Sequence, residues 1–350
     1  MITVSIVNVT SYTALELLRL LAQHPEFVVT SVTGRSAVGK QLGEVFPQLY
    51  ARSVIDPTLI ITEKPATTEL AFVCLPHVSA AESVLTLLEQ GTKVVDLSAD
   101  FRLHDGDTYE QWYNHTHPAP ALLETTVYGL CERYRELISQ ATLVANPGCY
   151  ATASILALIP ALAANLIHPS IIIDAKSGVS GAGRSPSLST LYDEVNENIN
   201  AYSLDGHRHL PEITQELERA ASDGGHVTEG QLRVTFVPHL MPMTRGILAT
   251  CYVDLKETTL TTEDIHAVYE KYYADELFVR VVEQSPHTKW TYGSNFCFIH
   301  PFVDTRTQRL VVISCLDNLV KGAAGQALQN ANILYGLPET TGLTALAVYP

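Results

Sequence analysis

Apolar positions follow two different rhythms along the chain. In the first, short stretches that are apolar throughout alternate with amphipathic ones. Residues 2–9, 28–33, 69–75 and 94–98 read as strands, and residues 15–24 and 80–90 as helices. In the first helix Leu15, Leu18 and Leu21 with Ala22 share one face. Strands apolar along their whole length, separated by helices, belong to a parallel sheet covered on both faces. The first part of the chain therefore reads as α/β, a Rossmann-type parallel-sheet domain that binds a dinucleotide. Later the rhythm changes. Residues 171–175, 232–238, 247–255 and 310–316 are strand-like, separated by long excursions, one with a helix at about 262–273. This predicts an α+β catalytic domain with a mixed, largely antiparallel sheet. The Ala- and Gly-rich segment 318–334 reads as a last helix that packs closely. The expected organisation is 1–147 plus 318–350 for the dinucleotide domain and 148–317 for the catalytic domain.

Residues 137–173 contain no Asp, Glu, Lys or Arg. Pro147, Gly148, Pro160, Asn165 and Pro169 interrupt this stretch, so no run of about 18 apolar residues survives to span a membrane. It reads as a strand, a turn, a helix over about 151–158 and another strand, all buried. The N-terminus has no basic residues ahead of an apolar core and reads as a strand, not a signal peptide. At 350 residues, 46% hydrophobic and 17% charged, the chain suits two domains with a sizeable core. A net charge of −15 gives no general electrostatic reason to bind nucleic acid or anionic membrane. Phosphate must then be held by a few local donors. The six cysteines form no C-x-x-C pair, so neither a metal site nor a disulfide framework is expected, and a reduced, cytoplasmic setting is the simplest reading.

A dinucleotide loop belongs at the first strand-turn-helix. The glycine spacing G-x-x-G-x-x-G falls on Asn8, Ser11 and Ala14. Asn tolerates the left-handed backbone that a first glycine supplies. Ser and Ala are small enough to let a pyrophosphate reach the helix N-terminus. The second strand ends in Thr33-Gly34-Arg35-Ser36, with no acid to hold ribose hydroxyls. Arg35 and Ser36 suit a 2′-phosphate; a surface arginine in a turn is the competing reading. Cys149 stands between an apolar strand at 142–145 and an apolar helix. A thiol at a helix N-terminus is acidified by the dipole and the free N–H groups, which also bind an oxyanion. The other five cysteines lie in strand-like or helix-like runs and read as core. A nucleophilic thiol needs a proton-transfer partner. His207-Arg208-His209 offers two imidazoles just before a helix expected near Pro211, although either could be a polar surface or capping residue. His77, after the third strand, is in the right region to touch a cofactor. Two segments read as anion cradles: Ser98 to Arg102, and the Gly-rich run that holds Lys176, Ser180 and Arg184.

These segments together resemble the N-acetyl-γ-glutamyl-phosphate reductase family. The likeness runs in order along nearly the whole chain. It includes 97–102 (Leu-Ser-Ala-Asp-Phe-Arg), 146–150 (Asn-Pro-Gly-Cys-Tyr), 174–184, 207–213 (His-Arg-His-Leu-Pro-Glu-Ile) and 317–327. The resemblance implies reduction of N-acetyl-γ-glutamyl phosphate with NADPH in arginine biosynthesis, through a cysteine thioester, in a homo-oligomer (dimer or tetramer). It implies Cys149 as nucleophile and His209 as acid/base, with His207 in reserve. For cofactor contacts it implies Asn8, Thr10, Ser11, Tyr12, Thr13, Arg35, Ser36, Pro76, His77, Gly181 and Asn318. For substrate contacts it implies Ser98, Arg102, Asn146, Lys176, Ser180 and Arg184. This chain departs from the family's pattern at Asn8, Ser11 and Ala14, at Val78, where a glycine usually follows Leu-Pro-His, and at Ala151. Two other readings compete: a related reductase of aspartyl phosphate or of a carrier-bound aminoadipyl phosphate, and a non-catalytic NADP-binding protein.

Overall fold

The computed structural model describes residues 1–51, 54–223, 230 and 232–349. By contact they divide into two units, 1–148 with 323–345 and 149–322 with 346–350. In the first unit six strands build one sheet: β1 (Ile2–Val7), β2 (Phe27–Val32), β3 (Leu70–Val73), β4 (Lys93–Asp96), β5 (Val127–Tyr128) and β6 (Leu143–Ala145). Their order is β2-β1-β3-β4-β6-β5 and every pairing is parallel. Apolar strands buried on both faces make this the Rossmann-type sheet expected from the pattern. Strand β4 stops two residues earlier than expected. The Asp96 carboxylate accepts the Ser98 N–H at 2.9 Å and the Ser98 hydroxyl at 2.7 Å, which turns the chain out of the sheet.

The second unit carries β7 (Ile167–Gly178), β8 (Asn200–Ala201), β9 (Arg233–Met241), β10 (Ile247–Leu255), β11 (Val279–Val281), β12 (Cys297–Asp304) and β13 (Arg309–Leu316). The order is β11-β12-β13-β10-β7-β9-β8. Pairs β7/β9 and β11/β12 are parallel and the rest antiparallel, so the sheet is mixed and largely antiparallel. Alternation sorts its faces. Ile171, Ile173, Ala249, Cys251 and Val253 are buried, whereas Ile172 on the opposite face is 44% exposed. The helix Cys149–Ala163 is buried at every position from Tyr150 to Leu162. It runs five residues beyond the expected end at 158, straight through Pro160. Proline leaves the carbonyl of residue 156 without its helical donor. The Tyr273 hydroxyl takes that place, donating to Leu156 O at 2.5 Å, and Tyr269 does likewise to Ala157 O at 2.8 Å.

The expected last helix, 318–334, is divided. A π-helical turn, Val320–Ala324, precedes the α-helix Gly325–Leu334. Residues 318–322 and 346–350 group with the second unit, not with the first as the expected span 318–350 had it. Hydrogen bonds explain this: Asn318 donates to Ser180 Oγ at 2.9 Å and accepts the Gly246 N–H at 2.8 Å, while Val348 N–H donates to Tyr292 O at 2.9 Å.

The loop after β3 is strained. Val78 has φ 69°, left-handed backbone that a β-branched residue rarely adopts. Asp100, wholly buried, holds it there. Its carboxylate accepts the N–H groups of Val78 at 2.6 Å, Ala80 at 3.0 Å and Ala81 at 3.1 Å, and the Tyr109 hydroxyl at 3.0 Å. It thereby caps the helix Ala81–Glu89, which has no side-chain cap of its own. Val78→Gly should therefore raise stability by about 0.5–1 kcal/mol, the left-handed strain relieved less the flexibility gained by the unfolded chain. The urea midpoint at unchanged slope reads this out; a midpoint at or below that of the parent protein would show that the loop is not strained.

Candidate active site

In the first unit the turn after β1 has the shape of a dinucleotide loop. Asn8 adopts φ 66°, the left-handed geometry expected of a first glycine. Its amide donates to Cys74 O at 2.8 Å and its oxygen accepts the Thr10 hydroxyl at 3.2 Å, so the loop is braced by Asn8 itself. Ser11 caps the helix Tyr12–Leu21, accepting the Ala14 N–H at 3.1 Å. Thr13 lies in the first turn of that helix and Tyr12 is 37% exposed. A Cβ on Gly34 would lie 3.3 Å from the Thr10 methyl, so β2 ends hard against the loop. Arg35 and Ser36 follow on an exposed 3₁₀ turn. Left-handed turn, helix N-terminus and adjacent cation fit a dinucleotide phosphate chain. Pro76 is exposed, and the His77 ring lies 5.8 Å from that of Tyr113.

Other residues of the first unit have different partners from those expected. Ser98 and Arg102 are buried. The Ser98 hydroxyl donates to Asp96 and accepts the Asp100 N–H at 3.1 Å. Arg102 donates through Nε to Asn146 O at 2.8 Å and through its Nη2 to Leu97 O at 3.0 Å. Asn146 is only 1% exposed, and its side chain bonds Asn330 at 3.0 Å and Ala323 O at 3.2 Å. These three residues brace the backbone just ahead of Cys149, and each of these bonds is to a protein group. Among them Asp96 is pushed up to about 7, chiefly by burial.

In the second unit Cys149 is the first residue of its helix. It is the one half-buried thiol of six; the other five are buried. Burial holds the Cys74 and Cys315 thiols well above the ordinary range and pushes Cys251 up to about 12, so these stay protonated. Tyr150, next in sequence, packs its ring 5.6 Å from His207, 5.9 Å from His209 and 5.4 Å from Phe236. Its hydroxyl donates to His239 O and accepts from the Tyr202 hydroxyl, both at 3.2 Å. Burial raises both phenols, Tyr202 to about 12, and for Tyr150 the neighbouring Tyr202 adds to the rise.

The helix expected near Pro211 begins at His209. Its N–H donates to His207 Nδ1 at 3.0 Å, and the two ring centroids are 4.8 Å apart. His207 is pushed down to about 4, by burial and then by the charge of Arg208. With Nδ1 accepting, its proton is on Nε2 and the ring is neutral. Lys176 does not join this group. It pairs with Asp174 at 2.7 Å on the opposite face of the sheet, where His239 Nδ1 also meets Asp174 at 3.1 Å. Ser180 and Asn318 bond each other, Gly181 lies close to the Ser177 hydroxyl, and Arg184 is exposed. Tyr150 and Tyr202 were missed from the sequence. Tyr150 adjoins Cys149, and that adjacency was the available signal.

Residues 3–141 match the model for the semialdehyde dehydrogenase NAD binding domain, and residues 149–318 match that for the semialdehyde dehydrogenase dimerisation domain. An N-acetyl-gamma-glutamyl-phosphate reductase of Dehalococcoides mccartyi is 53% identical over 99% of this chain and 98% of its own. One of Heliobacterium modesticaldum is 48% identical over the whole of both. Among solved structures, aspartate semialdehyde dehydrogenase II of Vibrio cholerae, complexed with ASA, superposes with TM-score 0.70 at 16% identity, covering 96% of this chain and 98% of that one. The aspartate semialdehyde dehydrogenase of Candida albicans with NADP gives 0.69 at 14% identity, over 96% and 99%. At such identities these two speak for the fold alone. The match of both domains and the full-length identity near one half place this chain in the semialdehyde dehydrogenase family, among the N-acetyl-γ-glutamyl-phosphate reductases.

Proposed function

We propose that the protein reduces N-acetyl-γ-glutamyl phosphate to N-acetylglutamate 5-semialdehyde with NADPH, releasing phosphate, through a thioester on Cys149. The observation that carries this reading is Cys149 itself, the one half-buried cysteine, opening an apolar helix in a chain about half identical to reductases of that name. A reactive thiol outside any disulfide suits a reducing, cytoplasmic compartment.

The Cys149 thiolate attacks the acyl carbon. A sulfur–carbon bond forms, the carbon–oxygen bond to phosphate breaks, and inorganic phosphate leaves. NADPH, held at the turn that Asn8 opens, would supply the hydride that takes the thioester to the thiohemiacetal level. N–H groups opening the helix Cys149–Ala163 stabilise the developing oxyanion. His209 holds the proton that meets the sulfur as the carbon–sulfur bond breaks and the aldehyde departs. His207 is less suited to that role, because its Nδ1 is already an acceptor and its low pKa keeps it neutral. Asn8, the helix start at Tyr12 and Thr13, and the exposed Arg35 and Ser36 would hold the cofactor, with Arg35 on the 2′-phosphate. Phosphate-dependent reduction of NADP⁺ with N-acetylglutamate semialdehyde, run beside aspartate semialdehyde, tests the whole reading; a faster rate with the latter would assign a different acyl group.

The same reading includes a homo-oligomer, dimer or tetramer. Its support is the open sheet face, where Ile172, Tyr252, Val311 and Phe302 stand in one cross-strand row over β7, β10, β13 and β12. Ile172 and Phe302 are 44% and 45% exposed. Isolated apolar residues need no partner, but a row across four strands does.

Iodoacetamide should alkylate Cys149 before any other cysteine, and Cys149→Ser should cut turnover by at least about a thousandfold while NADPH still binds. Peptide mass mapping with another cysteine labelled first, in a Ser variant that keeps its rate, would end the covalent mechanism. His209→Asn should cost roughly a hundred- to ten-thousandfold in kcat and His207→Asn less; the reverse order would move the proton to His207. Arg35→Asp should lower kcat/KM for NADPH by roughly ten- to a hundredfold and spare NADH, as expected for one charge-assisted contact. An unchanged ratio would make Arg35 an ordinary surface residue. Ile172→Asp should reduce the mass seen by light scattering on a sizing column; an unaltered mass would show that this row is not the contact.

A further inference from the structure

We propose that the π-helical turn Val320–Ala324 is the seat of the nucleophile, with Gly322 and Asp317 as positioning residues that hold Cys149 at the mouth of its helix. The proposal rests on the reading of Cys149 as the reacting thiol.

Gly322 packs directly on the start of the thiol's helix. A Cβ at Gly322 would lie 2.7 Å from Cys149 Cβ, 3.1 Å from Cys149 Cα and 3.2 Å from a Leu316 methyl. The first two contacts are with atoms at or next to the backbone, which no rotamer change can move aside. Any side chain at 322 must therefore push the nucleophile's backbone or be pushed by it. The turn that brings Gly322 there is of a rare kind. Its N–H donates to Asp317 O at 2.9 Å, a five-residue step that takes in one residue more than an α-turn. Such turns are less favourable than α-helix and recur at functional sites.

Asp317 keeps the turn in place. Its carboxylate is wholly buried and accepts the N–H groups of Leu319 at 2.8 Å, Val320 at 3.3 Å and Gly293 at 2.7 Å, with the Arg245 guanidinium at 3.6 Å. Asn318 ties the same corner to the start of β10 and to Ser180. The position of the thiol at its helix N-terminus thus depends on a corner, Asp317 to Gly322, that is far away in sequence and locked to three other segments.

The test is the alkylation of Cys149 by iodoacetamide across pH in full-length protein. In Gly322→Ala the rate at pH 7 should fall at least about tenfold and the pH midpoint should rise, with kcat falling in step and the Kd for NADPH within about twofold of the parent. A folded Gly322→Ala protein with the parent rate and midpoint would overturn the proposal. Should that variant not fold, Asp317→Asn decides. Its amide turns an N–H₂ toward N–H donors and loosens the turn, so alkylation should slow several-fold with the midpoint again raised. An unchanged profile there would equally overturn the proposal. Failure of the thioester reading looks different: Cys149→Ser would keep its turnover, while alkylation in Gly322→Ala would still be slowed.

Discussion

The chain's approach to Cys149 depends on how Asn146 is held. Its N–H donates to Asp96 O at 2.8 Å, its carbonyl accepts Arg102 Nε at 2.8 Å, and its side-chain amide engages Asn330 at 3.0 Å and Ala323 O at 3.2 Å. Every polar group of this buried residue is therefore satisfied. The net gain per bond is modest, but a buried group left unpaired costs about 1–3 kcal/mol, so the arrangement persists as a unit. Asn330 also donates to Gly129 O at 2.9 Å and accepts the Cys131 thiol at 3.1 Å. A Cβ on Gly129 would come within 2.5 Å of the Asn330 amide nitrogen, so only glycine lets the C-terminal helix close in. Three residues after this anchor comes the strand-to-helix turn that presents Cys149.

The anchor also explains why the cations of the first unit were easy to notice and hard to assign. An arginine after a strand can grip an anion or satisfy carbonyls, and residue type alone does not choose. One main-chain partner of Arg102, Asn146 O, lies 44 residues away, and that distance is invisible in the sequence. Lys176 is the opposite case. Asp174 and Lys176 are two apart in a strand and so share a face, and their ion pair could have been read from the alternation alone. Asp100 capping a helix that begins nineteen residues earlier in the chain is again a long-range choice.

What was legible is what is local. Apolar runs mark the two sheets, and the Asn-Pro-Gly-Cys turn marks the thiol. The left-handed tolerance of asparagine anticipates the φ of Asn8, because that preference belongs to one residue and its own backbone. The helix through Pro160 could not be read, since the hydroxyl that repairs it belongs to Tyr273, more than a hundred residues on. Nor could the π-helical turn, whose cause is the buried carboxylate of Asp317 and its four partners rather than any local propensity.

The His207–His209 pair shows how backbone geometry can divide labour between identical side chains. Two imidazolium rings with centroids 4.8 Å apart would repel by on the order of 3 kcal/mol at an effective dielectric near 20. The helix start disfavours that charge on His207. The first N–H of the helix His209–Asp223 occupies His207 Nδ1, so protonating His207 would break that bond as well as charge a buried ring. The linkage sign agrees. The folded pKa of about 4 lies below the ordinary 6.5, so between these values the unfolded chain binds a proton that the folded one refuses. The neutral ring thus costs nothing above pH 6.5 and subtracts from stability only as the pH falls toward 4. His207 is thereby committed to capping the helix start as a neutral ring, which supports the proposal that His209 carries the exchangeable proton.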